Sequence, residues 1–202
     1  MALTLDESGQ LRGTFALETD GYPARSMRRK LATESGRADF EQELVQGLLQ
    51  WQADSFAWEA TDNLYQPLKG ECALTFKEPL RGGRFYLDPV LFGFFDENPF
   101  KRETRNFPVD MPTPLHETYL ITLQLASPFE FESVPESGGI RLPEDGALLI
   151  YQVMQMGPML SMQVKLDVEQ TYYSPEQYPA LRQFFSVLME RIGQQIVIRQ
   201  KS

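Results

Sequence analysis

The chain has 202 residues, of which 42% are hydrophobic and 23% charged, so it carries enough apolar material for a sizeable globular core. Its formal net charge of -9 argues against nucleic acid as a partner, because nucleic-acid binders display basic patches that displace counterions from phosphates. No apolar run approaches the roughly 20 residues that span a bilayer. The first residues lack the basic and apolar regions of a signal peptide, and the single cysteine excludes an intramolecular disulfide.

The N-terminal part predicts a strand followed by two helices. Residues 11–19 alternate apolar and polar side chains, which is typical of a half-buried strand. Pro23 favours a helix start, and residues 24–32 then form a short basic helix. Asp39 fits the N-cap of a second helix, with Gln42 three residues further on. That helix has an apolar stripe at helical spacing, made of Phe40, Leu44, Leu48 and Trp51. We therefore expect a helical insertion over about residues 23–53.

The main β region is expected over about residues 56–173, where the apolar period changes to two. Within residues 71–77, Cys72, Leu74 and Phe76 occupy every second position, which predicts a strand with one apolar face. Residues 148–156 and 160–168 flank Gly157-Pro158 and predict an antiparallel hairpin with one wet face.

A C-terminal helix is expected over about residues 174–194. Ser174 fits the N-cap, Pro175 the first helical position and Gln177 the third. The helix has an apolar stripe that can pack on a sheet, made of Tyr178, Leu181, Phe185, Leu188 and Ile192.

The order of these elements predicts the fold class. No repeat or long linker divides the chain, so we expect one domain over residues 1–202. Its class is α+β and β-dominated: an antiparallel β-sheet or sandwich with a helical pair near the N-terminus and one C-terminal helix packed on the sheet.

A proline-rich segment over residues 98–114 enters the strand that starts near residue 118, and it predicts an extended connection, because each proline lacks a ladder donor. Within this structural motif, Arg102 and Arg105 are candidates to lock the crossing through hydrogen bonds to carbonyls or carboxylates. The residues that define the motif are Asn98, Pro99, Phe100, Arg102, Arg105, Pro108 and Asp110.

This segment resembles part of the C-terminal β-rich domain of unknown function in bacterial exported transglutaminase-like proteins. Other stretches resemble the same region in the same order: 21–25 with Arg28 and Arg29, 84–89, 134–135, 178–185 and 195–198. The resemblance implies a non-catalytic accessory domain that belongs to a longer chain, with the Cys, His and Asp core lying upstream. It also implies a periplasmic or cell-envelope location and an upstream domain of the same polypeptide as partner.

The chain offers one pair of residues for nucleophilic catalysis, Cys72 and His116. Cys72 lies on the apolar face of an alternating strand, where a buried thiol has a raised pKa and little reactivity. His116 is not followed by the second histidine of a zinc-protease helix, so it fits a surface residue.

Acidic and aromatic clusters offer two further sites. Asp88, Asp96, Glu97 and Asp110 are candidates for a calcium site or a carboxylate pair, although their spacing does not match an EF-hand and scattered surface carboxylates are the simpler interpretation. Four rings crowd between residues 92 and 100 and fit either core packing or a sugar-stacking or docking patch: Phe92, Phe94, Phe95 and Phe100.

Three functional hypotheses follow. The first is a non-catalytic interaction domain, with Arg25, Arg28 and Arg29 as the partner-docking face against the upstream domain; a solvated helix face is the simpler interpretation of these arginines. The second is a β-sandwich module that binds carbohydrate or peptide through its aromatic rings and acidic residues. The third is a cysteine-dependent enzyme that uses Cys72 and His116. None of these assigns a cofactor or metal ligand to the chain.

Overall fold

The computed structural model describes residues 1–46, 48, 50–54, 56–91, 95 and 97–201. Within these residues it contains fourteen strands and three α-helices, so the predicted β-dominated α+β class is confirmed. The chain divides into two compact units. The first contains Met1–Gly82 and Leu123–Pro128, and the second contains Gly83–Thr122 and Phe129–Ser202. The expectation of one domain stays a prediction.

The first unit is built on an antiparallel sheet. Its strands are β1 (Ala2–Leu5), β2 (Leu11–Thr19), β3 (Trp51–Ala53), β4 (Ala57–Glu59) and β5 (Leu68–Phe76). β1 pairs with β2 and β2 with β5, while β3 and β4 both pair with β5. Alternation along β5 buries every second side chain, including Cys72 and Leu74. The predicted strands over residues 11–19 and 71–77 are thus confirmed.

Two helices complete the first unit, α1 (Gly21–Leu31) and α2 (Glu34–Gln46). The predicted helical pair is confirmed, but the predicted start of the second helix was wrong. α2 begins five residues before Asp39, because the Thr33 hydroxyl accepts a hydrogen bond from the Gly36 N–H at 3.1 Å and acts as the N-cap.

The end of the helical insertion also differs from expectation. Trp51, predicted on a helical stripe, lies in β3, where it pairs with Phe76 and is buried. The backbone bond from the Lys77 N–H to the Gln50 carbonyl, at 2.9 Å, continues this pairing beyond β3. Pairing with Phe76 across the sheet therefore determined the conformation of Trp51, and the local helical spacing did not.

The second unit carries most of the remaining strands. They are β6 (Arg84–Leu87), β7 (Val109–Asp110), β8 (Leu115–Leu125), β9 (Phe129–Ser133), β10 (Gly138–Arg141), β11 (Ala147–Met156), β12 (Met159–Val168), β13 (Tyr172–Tyr173) and β14 (Ile196–Gln200). β10, β11, β12 and β8 are neighbours in that order within a nine-stranded sheet, which also includes β1 to β5. β6-β14-β9 form a three-stranded sheet, and β13 pairs with β7. From Leu123 onward, β8 belongs to the first unit.

The β11–β12 hairpin confirms the predicted antiparallel arms. Ten residue pairs join the strands, from Ala147 opposite Val168 to Met156 opposite Met159. Gly157 has φ = +57° at the first of the two loop positions, as a tight hairpin turn requires.

The last helix, α3 (Tyr178–Ile192), lies against β10 and buries an apolar face. The buried residues are Tyr178, Leu181, Phe184, Phe185 and Leu188. The helix starts four residues after the predicted cap. The Ser174 hydroxyl bonds to Glu176 instead of capping the backbone, although Gln177 does accept from the Ser174 N–H at 2.9 Å.

Candidate functional site

Arg28 holds α1 in place from the inside. Its side chain is 8% exposed, and its guanidinium donates to three carbonyls of one loop: those of Ala60 at 3.1 Å, Asn63 at 2.9 Å and Gln66 at 2.6 Å. Ala60 adopts φ = +56°, a left-handed conformation that non-glycine residues adopt at a cost. A single charged donor thus fastens the helix to residues 60–66 and satisfies the turned backbone.

The structure therefore revises the docking set. Arg28 belongs to the interior of the first unit, whereas Arg25 and Arg29 on the same helix are exposed. Among the described residues, no ion pair is found for either of them, whereas Lys30 pairs with Glu43 at 2.5 Å. In a chain of net charge -9, the exposed pair forms a small basic surface on a fixed helix. We call Arg25 and Arg29 the α1 basic face.

Cys72 is buried at 3% exposure in β5, as predicted. Burial, together with the negative charges of Asp54, Glu41 and Glu71, raises the pKa of the thiol to about 11. Because the thiolate is the nucleophile, the thiol is nearly all in its unreactive form at neutral pH.

An acidic cleft of about 680 Å³ opens beside β5 in the first unit. It is lined by residues of β2, β4 and β5 together with Asp54, and Cys72 contributes to the lining. Its carboxylates are Glu18, Asp54, Glu59 and Glu71. Lys69 pairs with Glu18 at 3.4 Å, so part of the negative charge is already compensated.

His116 lies in β8 of the second unit and is exposed, as predicted. Its Nδ1 is 3.2 Å from Asp167 Oδ1 and 3.7 Å from Glu169 Oε1. Burial disfavours the charged form of Asp167, but hydrogen bonds from Lys165 and His116 outweigh this and lower the pKa of the carboxyl. Cys72 belongs to the first unit, whereas His116 and both of its carboxylate partners belong to the second.

The proline-rich segment is held by Asn98 and by contacts to α3. The Asn98 side-chain oxygen accepts from the Phe100 N–H at 2.8 Å, and its amide donates to the Arg182 carbonyl at 3.0 Å and to Ser186 Oγ at 2.9 Å. Arg182 returns a bond to the Phe100 carbonyl at 3.2 Å. These bonds join the segment to one face of α3.

The two arginines of this segment contribute in a different way from that expected. The backbone carbonyl of Arg102 accepts a hydrogen bond from the Tyr178 hydroxyl at 2.7 Å. The Arg105 guanidinium lies 5.5 Å from the centre of the Tyr178 ring. Tyr178 thus contacts both residues. The locking role of Tyr178 and Arg182 was not predicted from the sequence, although Tyr178 lies on the apolar stripe of α3 and Arg182 is a half-buried residue of the same helix.

Phe100 and Phe95 pack against α3. Phe100 is 8% exposed, with its ring 4.9 Å from that of Phe185 and 6.0 Å from that of Tyr178. The ring of Phe95 is 5.2 Å from that of Phe185. Core packing therefore accounts for these two rings, and Phe92 and Phe94 lie outside the described residues.

The three acidic candidates that the structure describes are Asp88, Glu97 and Asp110, and they do not form a metal-binding group. Asp88 accepts a hydrogen bond from Gln195 at 2.8 Å, Glu97 pairs with Lys101, and Asp110 is an exposed residue of β7. Asp96 lies outside the described residues. In the part of the chain that the structure describes, no three His, Cys, Asp or Glu side chains are placed to hold a metal ion.

Comparison with known proteins gives one family and one similar structure. The family described as a Domain of Unknown Function with solved structure (DUF3858) matches residues 83–198. The match begins at the first residue of the second unit and ends in β14. Among curated proteins, no match was found.

A crystal structure described as a "putative protease" from Parabacteroides distasonis is similar over 58% of this chain, with 12% identity and a TM-score of 0.48. The matched part is 23% of that protein's chain, so this chain spans only a fraction of its length. In the described residues, no helix is both long enough and apolar enough to cross a membrane. Because the family match covers more than half of the sequence, the chain belongs to the DUF3858 family of domains of unknown function.

Proposed function

We propose that this chain is a non-catalytic accessory domain that docks on another domain of the same polypeptide through the α1 basic face. The observation that carries the proposal is the anchoring of α1 to the loop over residues 60–66 by Arg28. Buried Arg28 binds three carbonyls and fixes the helix, so that Arg25 and Arg29 project from a rigid support. Charged groups on a rigid element favour complementary, fairly polar contacts of the kind found between domains. The expected partner surface is acidic.

The parent protein that we propose is exported and transglutaminase-like, with this chain as its C-terminal part in the periplasm or cell envelope. The support is the ordered set of short motifs along the chain, which includes the segment from Asn98 to Asp110. In the structure, Asn98 and Phe100 of that segment bind α3, so the motif has a structural role within the second unit.

The state of Cys72 supports a non-catalytic role over a cysteine-dependent one. A catalytic thiol needs an accessible, electropositive setting that lowers its pKa. Cys72 has the opposite setting: it is buried, and neighbouring carboxylates help raise its pKa to about 11. Catalysis in the parent protein is therefore assigned to its other domains.

The test is charge reversal of the α1 basic face in two contexts. Arg25→Glu with Arg29→Glu is introduced into the isolated chain and into the full-length parent, and thermal unfolding is measured in both. A matched control reverses two exposed arginines of the same unit that lie outside α1, Arg12→Glu with Arg81→Glu.

Docking predicts a lower unfolding temperature, or looser domain association, only for the α1 variant and only in the full-length protein. Equal shifts of the α1 variant in both contexts would show an ordinary solvated helix face. A control pair that loosens the full-length protein equally would attribute the effect to net charge and would also contradict the proposal.

A further inference from the structure

Three methionines form an exposed thioether cluster at the tip of the β11–β12 hairpin. Met154 is 61% exposed, Met156 59% and Met159 42%, although methionine is usually buried. Met156 and Met159 face each other directly across the two-residue loop, and Met154 lies two positions from Met156 on the same face. The hairpin thus collects three polarisable sulfur groups on one surface.

The strand geometry places these side chains within reach of a common point. Directly opposed residues have Cβ atoms about 5 Å apart, and diagonal neighbours such as Met154 and Met159 about 7–8 Å. Methionine has three rotatable side-chain bonds, so its sulfur can move by several ångströms without backbone change. The ten-pair ladder holds the strands, so that only side-chain torsions need to adjust.

The hairpin segment that carries the cluster has no charged side chain of its own. Residues 146–164 contain no charged side chain, in a protein of which 23% is charged. Hard cations need carboxylate or carbonyl oxygens, whereas thioether sulfur selects Cu(I). A neutral set of thioethers therefore selects soft metal ions over hard ones, whatever the charge of the ion.

We propose that Met154, Met156 and Met159 form a binding site for a soft monovalent cation, Cu(I). The neighbouring Met162 continues the same spacing in the sequence, but it is 1% exposed and points into the interior of the second unit, so the structure leaves it out of the site. The site needs no group from outside the hairpin.

The experiment uses the full chain with labelled methionine methyl groups, titrated with silver nitrate as a redox-stable probe and with Cu(I) kept reduced by ascorbate. The methyl signals of Met154, Met156 and Met159 should shift together and saturate at one ion per chain. The signals of buried Met162 and of Met189 on α3 should stay in place, as internal controls. Zn²⁺ should shift none of them, and equal Zn²⁺ binding would overturn the assignment of a soft site.

Variants separate ligation from apolar contact. Met156→Leu with Met159→Leu keeps the size and apolarity of the surface but removes two sulfurs, and should weaken Ag(I) binding at least about tenfold. Met27→Leu with Met189→Leu should leave the affinity unchanged. Since Cys72 is the one thiol, Cys72→Ala is titrated in parallel. Undiminished affinity in the hairpin variant, or loss of the methyl shifts with Cys72→Ala, would overturn the proposal.

Discussion

Replacement of Arg28 by methionine should destabilise the first unit by about 3 kcal/mol. The change keeps most of the buried aliphatic stem but removes bonds to the carbonyls of Ala60, Asn63 and Gln66. A hydrogen bond from a charged donor contributes about 1.5–3 kcal/mol. The three carbonyls belong to a surface loop and can recover water, so the total should be nearer to one or two such bonds than to three.

Urea unfolding followed by tryptophan fluorescence measures this change selectively, because both tryptophans, Trp51 and Trp58, lie in the first unit. With an m-value of about 1.5 kcal/mol/M, the midpoint should fall by about 2 M. Arg28→Lys keeps the positive charge but not the forked donor geometry, so its urea midpoint should lie between those of the unchanged protein and Arg28→Met. Arg29→Met on the same helix is the matched control and should change stability by less than about 0.5 kcal/mol. A change of similar size for both Met variants would refute the anchoring role of Arg28.

Four other predictions concern Cys72, the C-terminal elements and Asn98. Cys72 should react slowly with a thiol reagent at pH 8 in the native protein and rapidly in urea, because burial and a pKa of about 11 keep it protonated; fast native labelling would revive the enzyme hypothesis. Cys72→Ala should cost about 1–2 kcal/mol through lost packing, by urea unfolding. A chain that stops at Tyr173 should aggregate or lose near-ultraviolet circular dichroism, because it lacks both the five buried side chains of α3 and β14, the central strand of the β6-β14-β9 sheet; a cooperative monomer would show that both elements are dispensable. Asn98→Ala should lower stability by about 2 kcal/mol through three lost bonds, whereas exposed Asn106→Ala in the same segment should be nearly silent, and equal effects would contradict the locking role.

Elements with a clean apolar period were predictable from the sequence. The hairpin of β11 and β12, the strand β5 around Cys72 and the apolar face of α3 follow from alternation or helical spacing that the tertiary structure reinforces. Element ends were less predictable, because they depend on single hydrogen bonds. The Thr33 cap moved the start of α2, and pairing with Phe76 drew Trp51 into a strand.

The candidate site was harder to derive, because it depends on partners that are distant in the chain. Arg25, Arg28 and Arg29 look alike in the sequence, and only the folded loop over residues 60–66 shows that Arg28 is an internal anchor. The hairpin methionines did carry a local signal, a spacing of two and three residues across a predicted turn. Alternation along the second arm also indicated that Met162 faces the opposite way from Met159, because the two are an odd number of residues apart.

The proposed docking of the α1 basic face on an upstream domain of the same polypeptide can be measured by amide shift mapping. The isotope-labelled chain is titrated with the unlabelled upstream domain, produced separately, and the backbone signals are followed. We expect saturable shifts centred on Arg25 and Arg29, which disappear when both are changed to glutamate. Shifts centred elsewhere, shifts that persist in the double variant, or an upstream domain that leaves the spectrum unchanged would contradict it.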